Sequence, residues 1–185
     1  LISWNREGAL HFWDRAGAPL MDLWRKQAHL YGVHGAVLHL DGFATWGSDC
    51  KVRVWDAKGN PKGPDDEAVR HPRWIGGLTS HGRCLVSWGG GGALRFWDEN
   101  TCLIDNGIDT MHRWQVDDVA AIGNHLVSWG GDGSLPVWND TGRAVDVLLP
   151  PGGARDAISI STDAVLVQAA ELWLYSVESS GAART

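Results

Sequence analysis

The stretch Leu126-Val127-Ser128-Trp129, followed nine residues later by Trp138, is one of four copies of a single pattern. The other copies are Leu1-Ile2-Ser3-Trp4 with Trp13, Phe43-Ala44-Thr45-Trp46 with Trp55, and Leu85-Val86-Ser87-Trp88 with Trp97. Successive copies lie 42, 42 and 41 residues apart, and they contain eight of the 12 tryptophans. A repeat of about forty residues has the length of one supersecondary unit that stacks on its neighbours.

Each repeat has the pattern of four short strands. In the copy after His112 we predict strands over 116–122, 125–129, 134–139 and 143–149, separated by Gly- and Asp-containing turns. In the two preceding copies, the first turns are expected at Asp41-Gly42 and His81-Gly82. No segment keeps a helical period. Strands 51–55 and 93–97 are apolar on both faces, which is typical of a sheet packed between two others.

A fifth, degenerate copy is predicted at the C-terminus, with strands over 156–160, 164–168 and 171–175, and with Tyr175 in place of Trp. We expect residues 1–177 to form the repeat domain and residues 178–185, which are small and polar, to form a flexible tail. The first copy starts at its second strand and has no initiator Met, so the chain is interpreted as part of a longer protein.

Composition narrows the range of partners. The chain is 44% apolar and 21% charged, as in soluble globular proteins, and no apolar run approaches the roughly 20 residues of a membrane span. A net charge of −6 argues against nucleic-acid and membrane-surface partners, which favour basic proteins. Three cysteines without metal-ligand spacing favour a reducing, cytoplasmic compartment.

The period, and the Trp-Asp pair that closes three of the copies, resemble the repeats of the WD40 family. The resemblance implies an all-β fold, a β-propeller of four-stranded antiparallel blades. About four and a half blades are present, so the chain would be the C-terminal portion of a larger ring. The missing N-terminal blades of the same protein would then be its first partners. The Ser-Trp-Gly variant seen here resembles bacterial WD40 arrays, which are often attached to signalling or NTP-hydrolysing proteins.

WD40 blades share a hydrogen-bond network, or tetrad, of a His before the first strand, a Ser or Thr on the second, an Asp in the next turn and a Trp on the third. The resemblance implies two complete tetrads and one partial tetrad, in which Gly91 stands at the Asp position. Their members are His29, Thr45, Asp49 and Trp55; His112, Ser128, Asp132 and Trp138; and His71, Ser87 and Trp97.

A Ser, His and Asp set could also indicate a catalytic triad. A nucleophile needs one exposed site with an oxyanion hole, whereas this set recurs in successive repeats, so a structural role is predicted. His29, His34 and His39 recur every five residues, but a strand places His34 and His39 on opposite faces. We therefore predict no catalytic residue, no cofactor and no metal site.

The segments after the tetrad histidines contain residues that are enriched at binding hot spots. They are Tyr31, Arg73, Trp74, Arg113 and Trp114. We expect a non-enzymatic scaffold that binds a protein or peptide there, although Trp74 and Trp114 could equally pack between blades. One alternative is a sensor or regulatory domain of a larger signalling or NTPase protein. Another is a propeller enzyme with a channel active site, for which only His34, Asp117 and Asp118 are candidates.

Overall fold

The computed structural model describes residues 1–20, 26–63, 70–99, 102–104, 112–159, 164–178 and 181–184. In these ranges the regular structure is entirely β, and no helix is long and apolar enough to cross a membrane. The strands form five antiparallel sheets that follow chain order. Sheet one contains β1 (Ile2–Trp4), β2 (Ala9–Phe12) and β3 (Lys26–Gln27). Sheet two contains β4 (Val33–His39), β5 (Gly42–Gly47), β6 (Val52–Trp55) and β7 (Pro61–Lys62).

The remaining three sheets follow the same plan. Sheet three contains β8 (Ile75–His81), β9 (Cys84–Gly89) and β10 (Leu94–Trp97), and a bridge pairs Trp97 with Leu103. Sheet four contains β11 (Val116–Ile122), β12 (His125–Gly130), β13 (Leu135–Trp138) and β14 (Ala144–Leu148). Sheet five contains β15 (Asp156–Ser159), β16 (Ala164–Gln168), β17 (Leu172–Glu178) and β18 (Gly181–Arg184).

The all-β prediction is confirmed, and the strands of the fourth repeat agree with the sequence prediction to within one residue at each end. The C-terminus differs. Gly181–Arg184 pairs with β17, so the fifth sheet has four strands instead of the three expected. Pairing at an edge needs only backbone groups, and for that reason a small, polar sequence did not reveal it. The flexibility of residues 178–185 remains a prediction.

Two predicted hairpin turns were wrong by one residue. The turns are at residues 40–41 and 82–83, and only the turn at 123–124 lies where it was predicted. Gly42 is the first residue of β5, and a Cβ there would overlap the main chain of Trp55. This glycine therefore permits a close approach to that main chain and does not form the turn. Leu40 takes the left-handed turn position with φ of 50°, where the equivalent residues are Gly82 and Gly123.

The core lies between the sheets. Four buried clusters each combine residues of two successive sheets, as expected for sheets whose two faces are both covered. Trp97 packs with Ala44 and Val54 of sheet two, for example, and Trp138 with Val86 and Phe96 of sheet three. The first strands β4, β8, β11 and β15 also contact one another in that order, so they line the inner edge of the stack.

Candidate functional site

Sheet two brings its four tetrad residues together in one buried hydrogen-bond chain. Trp55 Nε1 donates to Thr45 Oγ1 at 3.0 Å, and Thr45 Oγ1 lies 3.0 Å from His29 Nε2. His29 Nδ1 is 2.7 Å from Asp49 Oδ1. Because a carboxylate only accepts, Nδ1 carries the proton and Nε2 accepts from the threonine. The network therefore fixes the tautomer of the histidine and satisfies the buried indole.

Sheet four repeats this chain of hydrogen bonds. Trp138 Nε1 donates to Ser128 Oγ at 2.9 Å, which lies 2.8 Å from His112 Nε2. His112 Nδ1 is 3.0 Å from Asp132 Oδ1. The Asp132 carboxylate also accepts the backbone N–H groups of Arg113 at 2.7 Å and Ser134 at 3.1 Å. The aspartate thus links the histidine to the turn after β12.

The hydrogen bonds keep both aspartates ionised. Burial opposes ionisation of Asp49, but the bonds and charges of His29 and Arg53 outweigh it and hold the pKa of Asp49 well below its usual range. Burial likewise opposes ionisation of Asp132, whose hydrogen bonds from His112 and from the Arg113 and Ser134 backbone lower its pKa to about 2. Burial also lowers the pKa of His29. His29 is therefore neutral, with its proton on Nδ1, and it donates that proton to an ionised Asp49.

Sheet three places the partial tetrad differently. Trp97 Nε1 donates to Ser87 Oγ at 2.8 Å, as in the other sheets. Within the part of the chain that the structure describes, neither ring nitrogen of His71 has a hydrogen-bond partner, although only 1% of the residue is exposed. Burial, with the neighbouring Arg95 charge, lowers the pKa of His71 to about 4, against a weaker opposing effect of the Arg73 and Ala93 backbone. With Gly91 in place of Asp, the ring has lost its contact with the serine as well.

A second set of contacts, which sequence reasoning missed, joins each sheet to the next. The backbone carbonyl of one residue in the turn after each second strand accepts a backbone N–H of the following sheet. These bonds run from His29 to Gly8, His71 to Cys50, His112 to Gly92 and Ala154 to Gly133, at 3.0, 2.8, 3.4 and 2.7 Å. All four acceptors have positive φ. Glycine at three of these positions was the signal that the sequence offered for a positive φ. The fourth position is Cys50, with φ of 60°, so residue type alone does not identify it.

The tryptophans next to the last residues of β5, β9 and β12 lie between sheets. Trp88 and Trp129 belong to the clusters shared with the following sheets, and Trp46 packs against the equivalent cluster. Trp46 and Trp88 lie over Gly35 and Gly77 of their own first strands, where a Cβ would overlap the indole. Glycine at these two positions therefore makes room for the ring.

The five candidate partner-binding residues precede the first strands of three successive sheets. Because those strands are neighbours, we call this group the partner rim: Tyr31, Arg73, Trp74, Arg113 and Trp114. Tyr31 is 66% exposed, Trp114 64% and Trp74 49%, and both arginines are exposed. The Trp74 indole lies against Gly90, where a Cβ would overlap it, so this residue packs within its own sheet as well. A recess of about 370 Å³ borders Trp114, Gln115 and Gly131.

The candidates for channel chemistry do not converge. His34 Nε2 lies 2.8 Å from Ser48 Oγ, and Asp117 accepts a hydrogen bond from Gln115 at 2.9 Å. Asp118 accepts the amide of Val119. Within the described ranges, no three His, Cys, Asp or Glu side chains are grouped so that they could hold a metal ion. Each candidate is thus engaged locally.

Comparison with known proteins identifies the fold. The chain superposes on the computationally designed Ika8 protein with a TM-score of 0.75 at 17% identity, over 97% of this chain and 56% of that one. It also superposes on a chain of the mitotic checkpoint complex with a TM-score of 0.72 at 18% identity, over 100% of this chain and 62% of that one. On the WD40 repeats of RRP9 the TM-score is 0.70 at 17% identity, over 100% of this chain and 61% of that one. No protein-family profile and no curated protein matches the sequence. The fold is a WD40-like β-propeller, present in part. The chain spans about three fifths of the length of the propellers it matches.

Proposed function

We propose that this protein is a non-catalytic interaction scaffold and that a protein or peptide docks on the partner rim. The observation that carries the proposal is the exposure of Tyr31 and Trp114, at 66% and 64%, at equivalent positions of two sheets. Large exposed aromatic side chains usually mark contact sites, and Tyr, Trp and Arg dominate binding hot spots. A rigid stack of sheets holds the loops that carry them.

The two most exposed aromatics are the preferred anchors. Trp74 is half-buried against Gly90, so part of its role is structural. Trp114 stands beside a recess with the volume of a few side chains, which gives an incoming apolar group a place to bury. Arg73 and Arg113 add positive charge to this rim of a protein whose net charge is −6. A partner segment that combines acidic and apolar side chains fits both features.

The test compares variants of the intact protein in affinity capture from its native source. Trp114→Ala and Tyr31→Ala should each lower recovery of the partner at least about tenfold, the usual effect of removing a hot-spot aromatic. Leu38→Ser is the matched control, because Leu38 is 82% exposed near the other end of β4. Equal recovery by all three folded variants would exclude the partner rim.

We further propose that sheet five packs against another sheet of the same protein. Ile158, Leu166 and Leu174 are cross-strand neighbours in one row on the side facing away from sheet four. Ile158 is 61% and Leu174 38% exposed. An apolar row of this kind is what one blade presents to the next in a propeller. Attachment to a bacterial signalling or NTPase protein, and a cytoplasmic location, are also proposed, on the sequence arguments alone.

A further inference from the structure

Sheets two and four show what surrounds a tetrad carboxylate. Asp49 is held by His29 Nδ1, by Arg53 Nη1 at 2.9 Å and by the Lys51 amide at 3.2 Å. In sheet four, the Ser134 amide has the place of the Lys51 amide. The Leu30 amide in sheet two and the Arg113 amide in sheet four also donate to the carboxylate, at 3.3 and 2.7 Å. A carboxylate at this position thus receives a ring N–H, two backbone N–H groups and, in sheet two, a guanidinium.

Sheet three keeps the ring, guanidinium and third-strand amide positions of this set, but Pro72, at the offset of Leu30 and Arg113, has no N–H to donate. Among its described residues, no side chain of the sheet stands at the Asp position to accept from these donors. His71, Ala93 and Arg95 stand at the offsets of His29, Lys51 and Arg53 from the second-strand hydroxyl. Both nitrogens of His71 and Nε of Arg95 are buried without a hydrogen-bond partner among the described residues. Such groups are costly to leave unsatisfied, and each one in a native protein calls for an explanation.

We propose that sheet three binds a carboxylate supplied from outside the sheet, at the position where sheets two and four hold Asp49 and Asp132. The carboxylate is either an Asp or Glu side chain of a partner or a small free carboxylate ion. His71 Nδ1 and the Arg95 guanidinium donate to it. Both sources present the same planar pair of oxygens to a guanidinium.

The backbone explains why the chain does not supply this group itself. Gly91 has φ of +99°, which side chains rarely adopt, whereas Asp49 and Asp132 are outside the positive-φ region. Arg73 of the partner rim borders this position, because its Cδ lies 3.2 Å from the place that a Cβ on Gly91 would take. An arriving carboxylate passes a second guanidinium on its way to His71. Its binding would also fix the ring and return Nε2 to Ser87, as in the intact tetrads.

The first experiment titrates the intact protein with sodium formate, with sodium chloride at equal ionic strength as reference. Histidine-ring and indole N–H resonances are followed by NMR. The His71 ring should shift saturably at about millimolar formate, the range a three-atom ligand can reach. The Trp97 indole, which donates to Ser87, should shift with it as the ring returns to that hydroxyl. The rings of His29 and His112 should not shift, since their carboxylates come from the chain. Equal shifts in chloride, or no saturable shift, would refute the proposal.

Two variants and one control variant assign the donors. Arg95→Gln should weaken formate binding at least about tenfold, as expected for loss of one charge-assisted hydrogen bond. Arg53→Gln, which changes the equivalent residue of sheet two, should leave it unchanged. His71→Phe should abolish the Trp97 response, and a response that survives in this variant would place formate elsewhere.

A peptide pair then separates the two sources. Acetyl-Ala-Glu-Ala-amide and acetyl-Ala-Gln-Ala-amide are titrated in the same way. If the Glu peptide alone reproduces the formate shifts, a side chain of a partner is the source, and if neither peptide does, a free carboxylate is. The inference goes beyond the proposed function, since formate binding uses neither Tyr31 nor Trp114. A failed formate titration and a failed partner capture are therefore distinguishable results.

Discussion

At the scale of single residues, the Ser128 hydroxyl joins two parts of sheet four. Its Oγ accepts the indole N–H of Trp138 and donates to His112, which donates to Asp132. Removing one member leaves the next buried group without its partner, and that loss is larger than the net worth of one hydrogen bond.

Trp138→Phe removes a donor that is 1% exposed, together with part of its packing area. We expect the free energy of unfolding to fall by about 1–3 kcal/mol, measured by denaturant titration. Trp13→Phe is the control, because Trp13 makes the same type of bond to Ser3 but is only partly buried. Equal losses of unfolding free energy in the two variants would show that burial does not account for the strength of the tetrad hydrogen bond.

Ser87→Ala and Ser128→Ala test the difference between an incomplete and a complete network. Ser87 Oγ bonds to Trp97 but not to His71, whereas Ser128 Oγ bonds to both Trp138 and His112. Ser87→Ala should therefore be the less destabilising by about 1 kcal/mol. Thermal and denaturant unfolding of the two variants measure the difference, and equal losses would contradict the assignment of the histidine.

His71→Phe should change how stability depends on pH. The folded pKa of His71 is lowered to about 4 from 6.5, so the unfolded chain binds the proton first. The contribution of the neutral ring to the free energy of unfolding is complete above pH 6.5. It falls by about 3 kcal/mol between pH 6.5 and 4. The variant should lack this part of the acid destabilisation, and it should lose little at pH 7.5 because an unsatisfied group is replaced by an apolar one. Denaturant titrations at pH 7.5 and 5 compare it with His112→Phe, which should be destabilised at both.

Residue spacing showed which side chains could form the tetrads, because their offsets are constant and chemistry requires those four types. It could not reveal that His71 loses its serine contact, which depends on how the ring settles once Asp is replaced by Gly91. It also could not reveal the carbonyls of Gly8, Cys50, Gly92 and Gly133 that accept from the next sheet. A backbone acceptor imposes no side-chain type, so only its φ angle leaves a trace.

At the scale of strands and turns, hydrophobic alternation predicted the strands well and turn chemistry predicted the turns less well. Asp41-Gly42 has the composition of a hairpin turn, yet Gly42 serves a close approach to the main chain at Trp55. Glycine has two distinct uses, positive φ and lack of bulk, and a single sequence does not separate them.

Leu40→Gly should stabilise the protein. Leu40 is in the left-handed region and 51% exposed, so the change relieves backbone strain and loses little buried area. A net gain of about 0.5–1 kcal/mol is expected after the extra entropy of glycine in the unfolded chain. Leu38→Gly, within β4, is the control and should be destabilising. A lower free energy of unfolding for Leu40→Gly in denaturant titration would show that the turn is not strained.

At the scale of the whole molecule, the outer face of sheet five has exposed apolar groups. Ile158, Leu166 and Leu174 form a row there, in which Ile158 is 61% and Leu174 38% exposed. A face of this kind favours association with another sheet.

We therefore expect residues 1–185 on their own to associate as concentration rises, measured by sedimentation velocity. Ile158→Lys should shift the equilibrium toward monomer, because it places a charge at the most exposed position of the apolar row. Leu38→Lys, which changes an 82% exposed residue away from the outer face, should not. A monodisperse monomer with one sharp melting transition would contradict this expectation.

The four main-chain bonds between successive sheets have a consequence for how the stack comes apart. The donors are the amides of His29, His71, His112 and Ala154, and the first junction has further bonds from Ala28 to Gly8 and from Val33 to Asn5. Each of these amides exchanges its hydrogen with solvent deuterium when its own junction opens. The four exchange rates, measured in one hydrogen–deuterium exchange experiment, would rank the four junctions by their opening free energy. The lowest value would identify the junction at which the sheets first separate.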